Sequence, residues 1–394
     1  ILESGWRRDA VTATRNPMPI DSTSAEEQLF VASQWKLVWL RFLRHRLAIV
    51  GAVFIIIFFL IAAFCEFLAP HDPLERYAKR AFMPIQRIHF FDGLKPTLPY
   101  VYEKVGSRDP VTLAMVFEDD KSTKYRIHYF VKGGEKQEYK FLGFIPSNRH
   151  LVGVEKPDEE KPMPLYLLGT DRMGRDQFSR IMFATRISML IGLVGVALSL
   201  FLGLLLGGIS GYRGGWADVI IQRVVEFFRA IPTIPLWLAL AAAVPPEWSQ
   251  IRLFFAMTII ISLLGWPRLA REVRGRFLAM RSEDFVTAAR LYGTSEFVII
   301  FRHMLPSFTS HIIAATTLSI PGFIIAETSL SFLGLGLRPP TLSYGVLLYE
   351  AQKLQTVAGA PWLLLPGLFV IVVVLCYNFM GDGLRDAADP YSHT

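Results

Sequence analysis

The sequence predicts an all-α polytopic membrane protein with six transmembrane helices and one β-rich insert outside the membrane. Three observations predict it. Of 394 residues, 52% are hydrophobic and only 19% are charged, where soluble chains carry roughly a quarter charged residues. Mean hydropathy is +0.36. The apolar residues are gathered into runs long enough to cross a bilayer, and one polar stretch, residues 70–166, interrupts them. This composition excludes disorder and fibrous repeats and argues against a cytosolic enzyme. The two cysteines, Cys65 and Cys376, both lie inside apolar runs, so neither a disulfide framework nor a CxxC metal site can be built. The net charge of +7 fits basic residues on cytoplasmic loops better than nucleic acid binding.

Residues 1–46 form an N-terminal segment. Position 1 is Ile, so the natural N-terminus is expected to be missing or processed. The first span fills 47–69, and Ala48 to Cys65 carries no charge. It lies too far from the N-terminus, and lacks a small-residue cleavage site, to be a signal peptide. The second span is Ile187 to Ile209. The third, Val219 to Val244, carries Arg223, Glu226 and Arg229 in its first half, so it is expected to begin in the interface. Arg223 and Glu226 are spaced to pair. The fourth, fifth and sixth are Ile251 to Ala270, His311 to Glu327 and Trp362 to Met380. Arg41, Arg44 and Arg46 precede the first span, and 268–302 is rich in arginine, so the N-terminus and the 271–309 loop are assigned to the cytoplasm. Six spans return the C-terminus to the same side. Gly203, Gly207 and Gly211 make a flat stripe on the second span, read chiefly as internal helix packing, with subunit contact or gating as the alternative.

The insert opens with Pro70, Pro73, Pro84, Pro96 and Pro99, so its first part is expected to be irregular. Alternation then predicts a three-stranded antiparallel meander. Its strands carry Val111 to Phe117, Tyr125 to Val131 and Tyr139 to Ile145, with turns at Asp119-Asp120 and Gly133-Gly134. Docking of an extracytoplasmic partner and a structural cap on the membrane domain are both open readings.

The stretch Ser282 to Pro306 reads as a short helix, a glycine turn and a second short helix. Ser282 is the expected N-cap, and Glu283 and Asp284 suit the positive helix end. Phe285, Ala288, Ala289 and Tyr292 fall on one face, and Gly293 is placed to end the helix in a left-handed conformation. Thr294 or Ser295 can cap the second helix. An amphipathic interfacial helix is the competing reading.

Ala288-Ala289, Gly293 and Leu305-Pro306 resemble the EAA loop of ABC importer permeases, with Thr287 where that family usually has Glu. Leu168-Gly169-Thr170-Asp171, Gly174-Arg175-Asp176 and Ser179-Arg180 resemble its LGTDxxGRDxxSR signature, and Arg186 to Leu190 the RxSxL that follows. Gly211-Tyr212, Gly214-Gly215 and Asp218 resemble its GYxGGxxD turn. Glu327 to Gly336 with Pro339, Pro340 and Gly345, and Gly381 to Asp386 with Asp389-Pro390, resemble its later motifs. Together these are similar to the C-type permease subunit of the dipeptide and oligopeptide importers, over the first span and 167–390. The resemblance implies the type I permease fold and a cell inner (plasma) membrane location. It implies a second homologous permease, two cytoplasmic ATPase subunits that hold ATP and Mg, and an extracytoplasmic substrate-binding protein. The helix bearing Glu283, Asp284, Phe285, Thr287, Ala288, Ala289, Tyr292 and Gly293, with Leu305 and Pro306, would then be the ATPase-coupling element. Gly169, Asp171, Gly174, Arg175, Asp176, Gly211, Gly214, Gly215 and Asp218 read as structural, with Asp171, Arg175 and Asp176 able to pair with one another. Glu327, an acid beside an apolar span, is a candidate pathway or outer-gate residue, or is satisfied by a backbone amide.

The sequence has no P-loop, no zinc-protease or nucleophile-elbow motif, and no catalytic constellation or metal site. His303 reads as a local packing residue. Peptide is the expected cargo, oligosaccharide its main rival. A secondary transporter is the alternative of another class, weakened by the lack of a clear inverted repeat.

Overall fold

Apolar composition decides the architecture. In a computed structural model, residues 34–92, 95–108, 110, 115–132, 139–141, 145–154, 163–245, 247–353 and 358–388 are described. Residues 1–33, the Val111–Leu113 part of the expected first strand, the Gly133-Gly134 turn and Asp389-Pro390 lie outside them. A short helix α1 (Gln34–Phe42) leads to α2 (Arg46–Ala63) and, after a break at Phe64, to α3 (Cys65–Leu68). Then follow α4 (Gln177–Arg213), α5 (Gly215–Ala230), α6 (Thr233–Ala242), α7 (Gln250–Met280) and α8 (Asp284–Leu291). The described part of the chain closes with α9 (Thr309–Phe332), α10 (Tyr344–Glu350) and α11 (Leu365–Ala388).

Among the described residues five helices are long and apolar enough to cross a membrane: α2, α4, α7, α9 and α11, the last with the turn that precedes it. The expected third span is not one straight helix. It divides into α5 and α6, bent by 87°. Ile231 and Pro232 are extended at the break (ψ 130 and 124). Proline supplies no N–H to continue the helix, and it also turns the residue before it away from helical geometry. The fourth helix runs past its expected end at Ala270 to Met280, so part of the 271–309 loop is helix. At 37 residues, α4 is about 55 Å long, well beyond the ~30 Å hydrocarbon core.

Helix α4 packs along α7, α9 packs on α11 and α4, and α11 packs on α2. The glycine stripe sets the first of these contacts. A Cβ on Gly207 would stand 2.5 Å from the Ala270 carbonyl oxygen, and one on Gly211 would stand 2.6 Å from Phe277 Cβ. Only glycine admits that approach, which bears out internal packing as the stripe's role.

The insert departs from the expected meander. Strands β1 (His89–Asp92), β2 (Lys95–Arg108), β3 (Met115–Lys132) and β6 (Arg149–Val154) form one antiparallel sheet in the order β1-β2-β3-β6. Strands β4 (Tyr139–Phe141) and β5 (Ile145–Ser147) make a separate hairpin. Asp119-Asp120 is not a turn between strands. It lies within β3, where Tyr102 pairs with Lys124 and Glu103 with Asp120, so the residues between bulge out. The Asp120 carboxylate accepts the Ser122 N–H at 2.9 Å, which supports the bulge. The proline-rich part is partly strand. From Lys95 to Pro99, β2 pairs only with β1, and its partner on β3 begins at Tyr100. Pro96 and Pro99 therefore sit where one edge is open. Val101, Ile127, Val154, Met163 and Leu165 form the sheet's own core. Buried Gln86 ties it to the segment that precedes the Gly169 turn, donating to the Tyr102 and Pro164 carbonyls (2.6 and 2.9 Å) and accepting from Tyr166 N–H (2.8 Å).

Candidate functional site

Two polar assemblies sit at opposite ends of α4. At its C-terminal end, α8 is clamped edge-on. Val286 and Ala289 enter a core with Tyr212, Val273, Phe277, Ile299, Met304, Phe308 and Ile312. Arg290 lies over the Tyr212 ring at 4.8 Å, and its Nε donates to the Tyr212 hydroxyl at 3.1 Å. The helix ends as expected. Gly293 has φ 72. Its N–H donates to Arg290 O at 2.9 Å and Thr294 N–H to Ala289 O at 3.1 Å, a Schellman turn.

Among the described residues, nothing covers the opposite face of α8. Phe285 is 42% exposed and Tyr292 90%; Leu291, Glu283, Asp284, Thr287 and Ala288 are exposed as well. Two expectations are corrected. Ala289 does not share this exposure; it lies where the face meets the core and is buried with Val286 against its neighbours there. Ser282 is not the cap: Glu283 holds that position, with no side-chain capping bond. Beyond Ser295 the chain continues as helix through a widened turn, Ile299–Met304. Leu305 is half-buried and opens the last short turn, and Pro306 beside it is exposed.

Nearby, Gly214 and Gly215 (φ 66 and 56) reverse the chain from α4 into α5. That turn carries Asp218 to Arg274 on α7, in a two-pronged bond of 2.6 Å on each arm. Asp218 also accepts from the Ser210 hydroxyl. Arg223 and Glu226 pair at 2.8 Å on the exposed side of α5.

At the N-terminal end of α4, Gly169 and Gly174 (φ 72 and 74) fold the signature segment onto the helix. Asp171 pairs with Arg175 and with Arg180, each at 2.5 Å. Glu350 of α10 closes the group, accepting from Arg175 at 2.8 Å and Arg180 at 2.9 Å. All four side chains are buried, two of each sign. Burial pushes the Asp171 carboxyl upward, but the two arginines outweigh it and hold it below the ordinary value. Asp176 does not join this group. It caps α4, accepting from Ser179 N–H (2.8 Å) and Oγ (2.6 Å). Its burial raises its pKa to about 6.

Glu327 is 1% exposed, and it meets three serine hydroxyls rather than a backbone amide. Ser331 and Ser343 donate to it at 2.7 Å and Ser188 at 3.5 Å. Each serine oxygen in turn accepts a backbone N–H, from Leu337, Val346 and Tyr344 respectively. One carboxylate thus joins α4, α9 and α10. Sequence reasoning missed Glu350, the three serines and the Tyr212–Arg290 anchor. Tyr212, Ser188 and Ser331 lay inside quoted motifs without a role assigned to them, and Glu350 showed as an isolated acid after an apolar run.

Comparisons with known proteins agree on a family. The description "Binding-protein-dependent transport system inner membrane component" matches residues 203–391, and "N-terminal TM domain of oligopeptide transport permease C" matches 33–84. A putative peptide permease protein of Brucella suis biovar 1 is 40% identical over 64% of this chain and 80% of its own length. A glutathione transport system permease protein of Pectobacterium atrosepticum is 30% identical over 98% of both chains. A dipeptide transport system permease protein of Alkalihalophilus pseudofirmus is 37% identical over 62% of this chain and 75% of its own. A solved structure of the MetNI methionine ABC transporter in an inward-facing conformation matches at a TM-score of 0.41 and 17% identity. It covers 52% of this chain and 96% of that one.

Proposed function

This chain belongs to the family of binding-protein-dependent transport system inner membrane components, and from that membership we infer that it is the permease subunit of an ATP-driven ABC importer for peptides. The relatives' printed names speak of peptides, a dipeptide and glutathione, which is itself a short peptide. The observation that carries the reading is α8. It is held by its Gly293 turn and by Tyr212, yet none of the described residues covers the face bearing Phe285, Ala288, Leu291 and Tyr292.

Two cytoplasmic ATPase subunits, binding ATP and Mg, dock there and on a second homologous permease. When ATP closes the ATPase pair, α8 moves with it. Tyr212 delivers that displacement to α4, and the widened turn after Ser295 delivers it to α9. The far ends of α4 and α9 meet at Ser188 and Glu327, so the two helices are linked at both ends. ATP favours one arrangement of this frame and its hydrolysis the other, which is alternating access by differential binding. A binding protein presents peptide at the insert end. Counting α5 with α6 as one broken span gives six, with both termini in the cytoplasm of a cell with this inner membrane, beside Arg41, Arg44 and Arg46.

Native mass spectrometry of the complex purified from its own cells tests the assembly. Two ATPase subunits and a second permease are expected. A lone chain or homo-oligomer that binds no ATPase overturns the reading and favours a secondary transporter.

A further inference from the structure

The insert carries an apolar edge that the importer reading does not use. Phe130 of β3 lies 5.9 Å from Phe67 of α3, and Phe141 of β4 lies 5.1 Å from Phe64. Ile145, the register partner of Phe141, is 60% exposed, and Phe130 is 64% exposed. Phe130 also has φ 58. A phenylalanine held in the left-handed region within a strand gains nothing by presenting its ring to water.

The height of this edge follows from α2. That helix has 18 residues, about 27 Å, nearly the whole ~30 Å hydrocarbon core. With Arg46 at one boundary, Phe64 stands at the other. One side of α2 is apolar and left exposed by the described residues, through Val53, Ile56, Ile57 and Leu60, and it extends to Phe64, where the helix breaks. Charge follows two residues after Phe130. Lys132 and Arg149 are exposed register partners at the end of β3 and β6. The Tyr139 hydroxyl donates to Arg149 O at 2.5 Å, tying the β4–β5 hairpin to this end of the sheet. Rings at the acyl boundary with cations just beyond them match the chemistry of a headgroup layer containing anionic phosphates.

We propose that this edge of the insert is seated in the lipid headgroup layer. Phe130, Phe141 and Ile145 meet the acyl boundary, and Lys132 and Arg149 face lipid phosphate. Lipid is the occupant because the edge continues the uncovered face of a spanning helix. The sheet is thereby fixed in height at three places: Gln86, the Phe64–Phe67 rings and the bilayer.

Nitroxide labelling tests this in the full complex, reconstituted into phosphatidylcholine–phosphatidylglycerol bilayers. The native cysteines are buried and leave the label to the new site. Phe130→Cys and, separately, Ile145→Cys are compared with Ser122→Cys in the exposed bulge of β3. Power saturation reads access to oxygen, which concentrates in lipid, against access to a water-soluble nickel chelate. The expected result is an oxygen-to-nickel ratio at 130 and 145 reversed from that at 122, rising further with depth-calibrated lipid standards. Nickel access equal to that at 122 places the edge in water and overturns the proposal. Loss of access to both reagents means a protein partner covers it, and overturns it equally.

Discussion

Substituting Gly293 should grade transport by backbone conformation alone. At φ 72, a Cβ added to Gly293 meets no heavy atom within 4 Å. Steric contact therefore contributes nothing, and only the left-handed backbone is at issue. For alanine that costs about 1–2 kcal/mol, a roughly 5- to 30-fold loss in the population of the finished turn. Asparagine tolerates this region and costs less. Proline is locked near φ −65° and lacks the N–H that bonds Arg290 O, so it costs about 3 kcal/mol or more and removes the turn. The expected order of ATP-driven uptake is Gly, Asn, Ala, then Pro, with Gly293→Pro inactive at normal membrane abundance. The assay is peptide uptake into proteoliposomes, normalised to inserted protein. Wild-type uptake by Gly293→Pro refutes the reasoning, as does damage by Asn equal to that by Pro.

Other outcomes follow from the two ends of α4. Glu350→Gln strands part of a buried four-charge group, and should cost about 3–5 kcal/mol. A thiol dye that reads exposure of buried Cys65 and Cys376 on heating should show an earlier transition; an unchanged one contradicts the network. Gly207→Val should prevent α4 from seating on α7 and cut the folded yield sharply. Gly208→Ala, whose Cβ would have 3.7 Å of clearance, should fold normally. Asp176 has a folded pKa of about 6 against 3.8 when unperturbed. The native state therefore holds this proton more tightly, and stability from this group falls as pH rises from about 4 through 6. Asp176→Asn keeps the capping oxygen and should flatten that slope in the same thermal assay. Asp171 acts oppositely: its contribution is intact above about pH 4 and is lost only below it.

The spans were legible because a bilayer demands long apolar runs, and those survive in composition alone. The break at Pro232 was not, because the run stays apolar across it and only Ile231-Pro232 carries the bend. The insert was half legible. Alternation found the strand through Tyr125 to Val131, but Asp119-Asp120 has turn chemistry whether it closes a hairpin or bulges within one strand. Prolines hid β2, since the open edge that tolerates them is a fact of pairing. On α8, the sequence located the helix and its glycine end, while the inward turn of Ala289 depended on what it packs against. Long-range partners such as Glu350 with Arg175 and Arg180 leave no spacing to read.

The most direct test of the account is uptake of a labelled short peptide by the whole complex in proteoliposomes. ATP is placed on the α8 side and binding protein on the insert side. The account predicts uptake that requires both and is indifferent to ion gradients. Uptake driven by a proton or sodium gradient without ATP would contradict it.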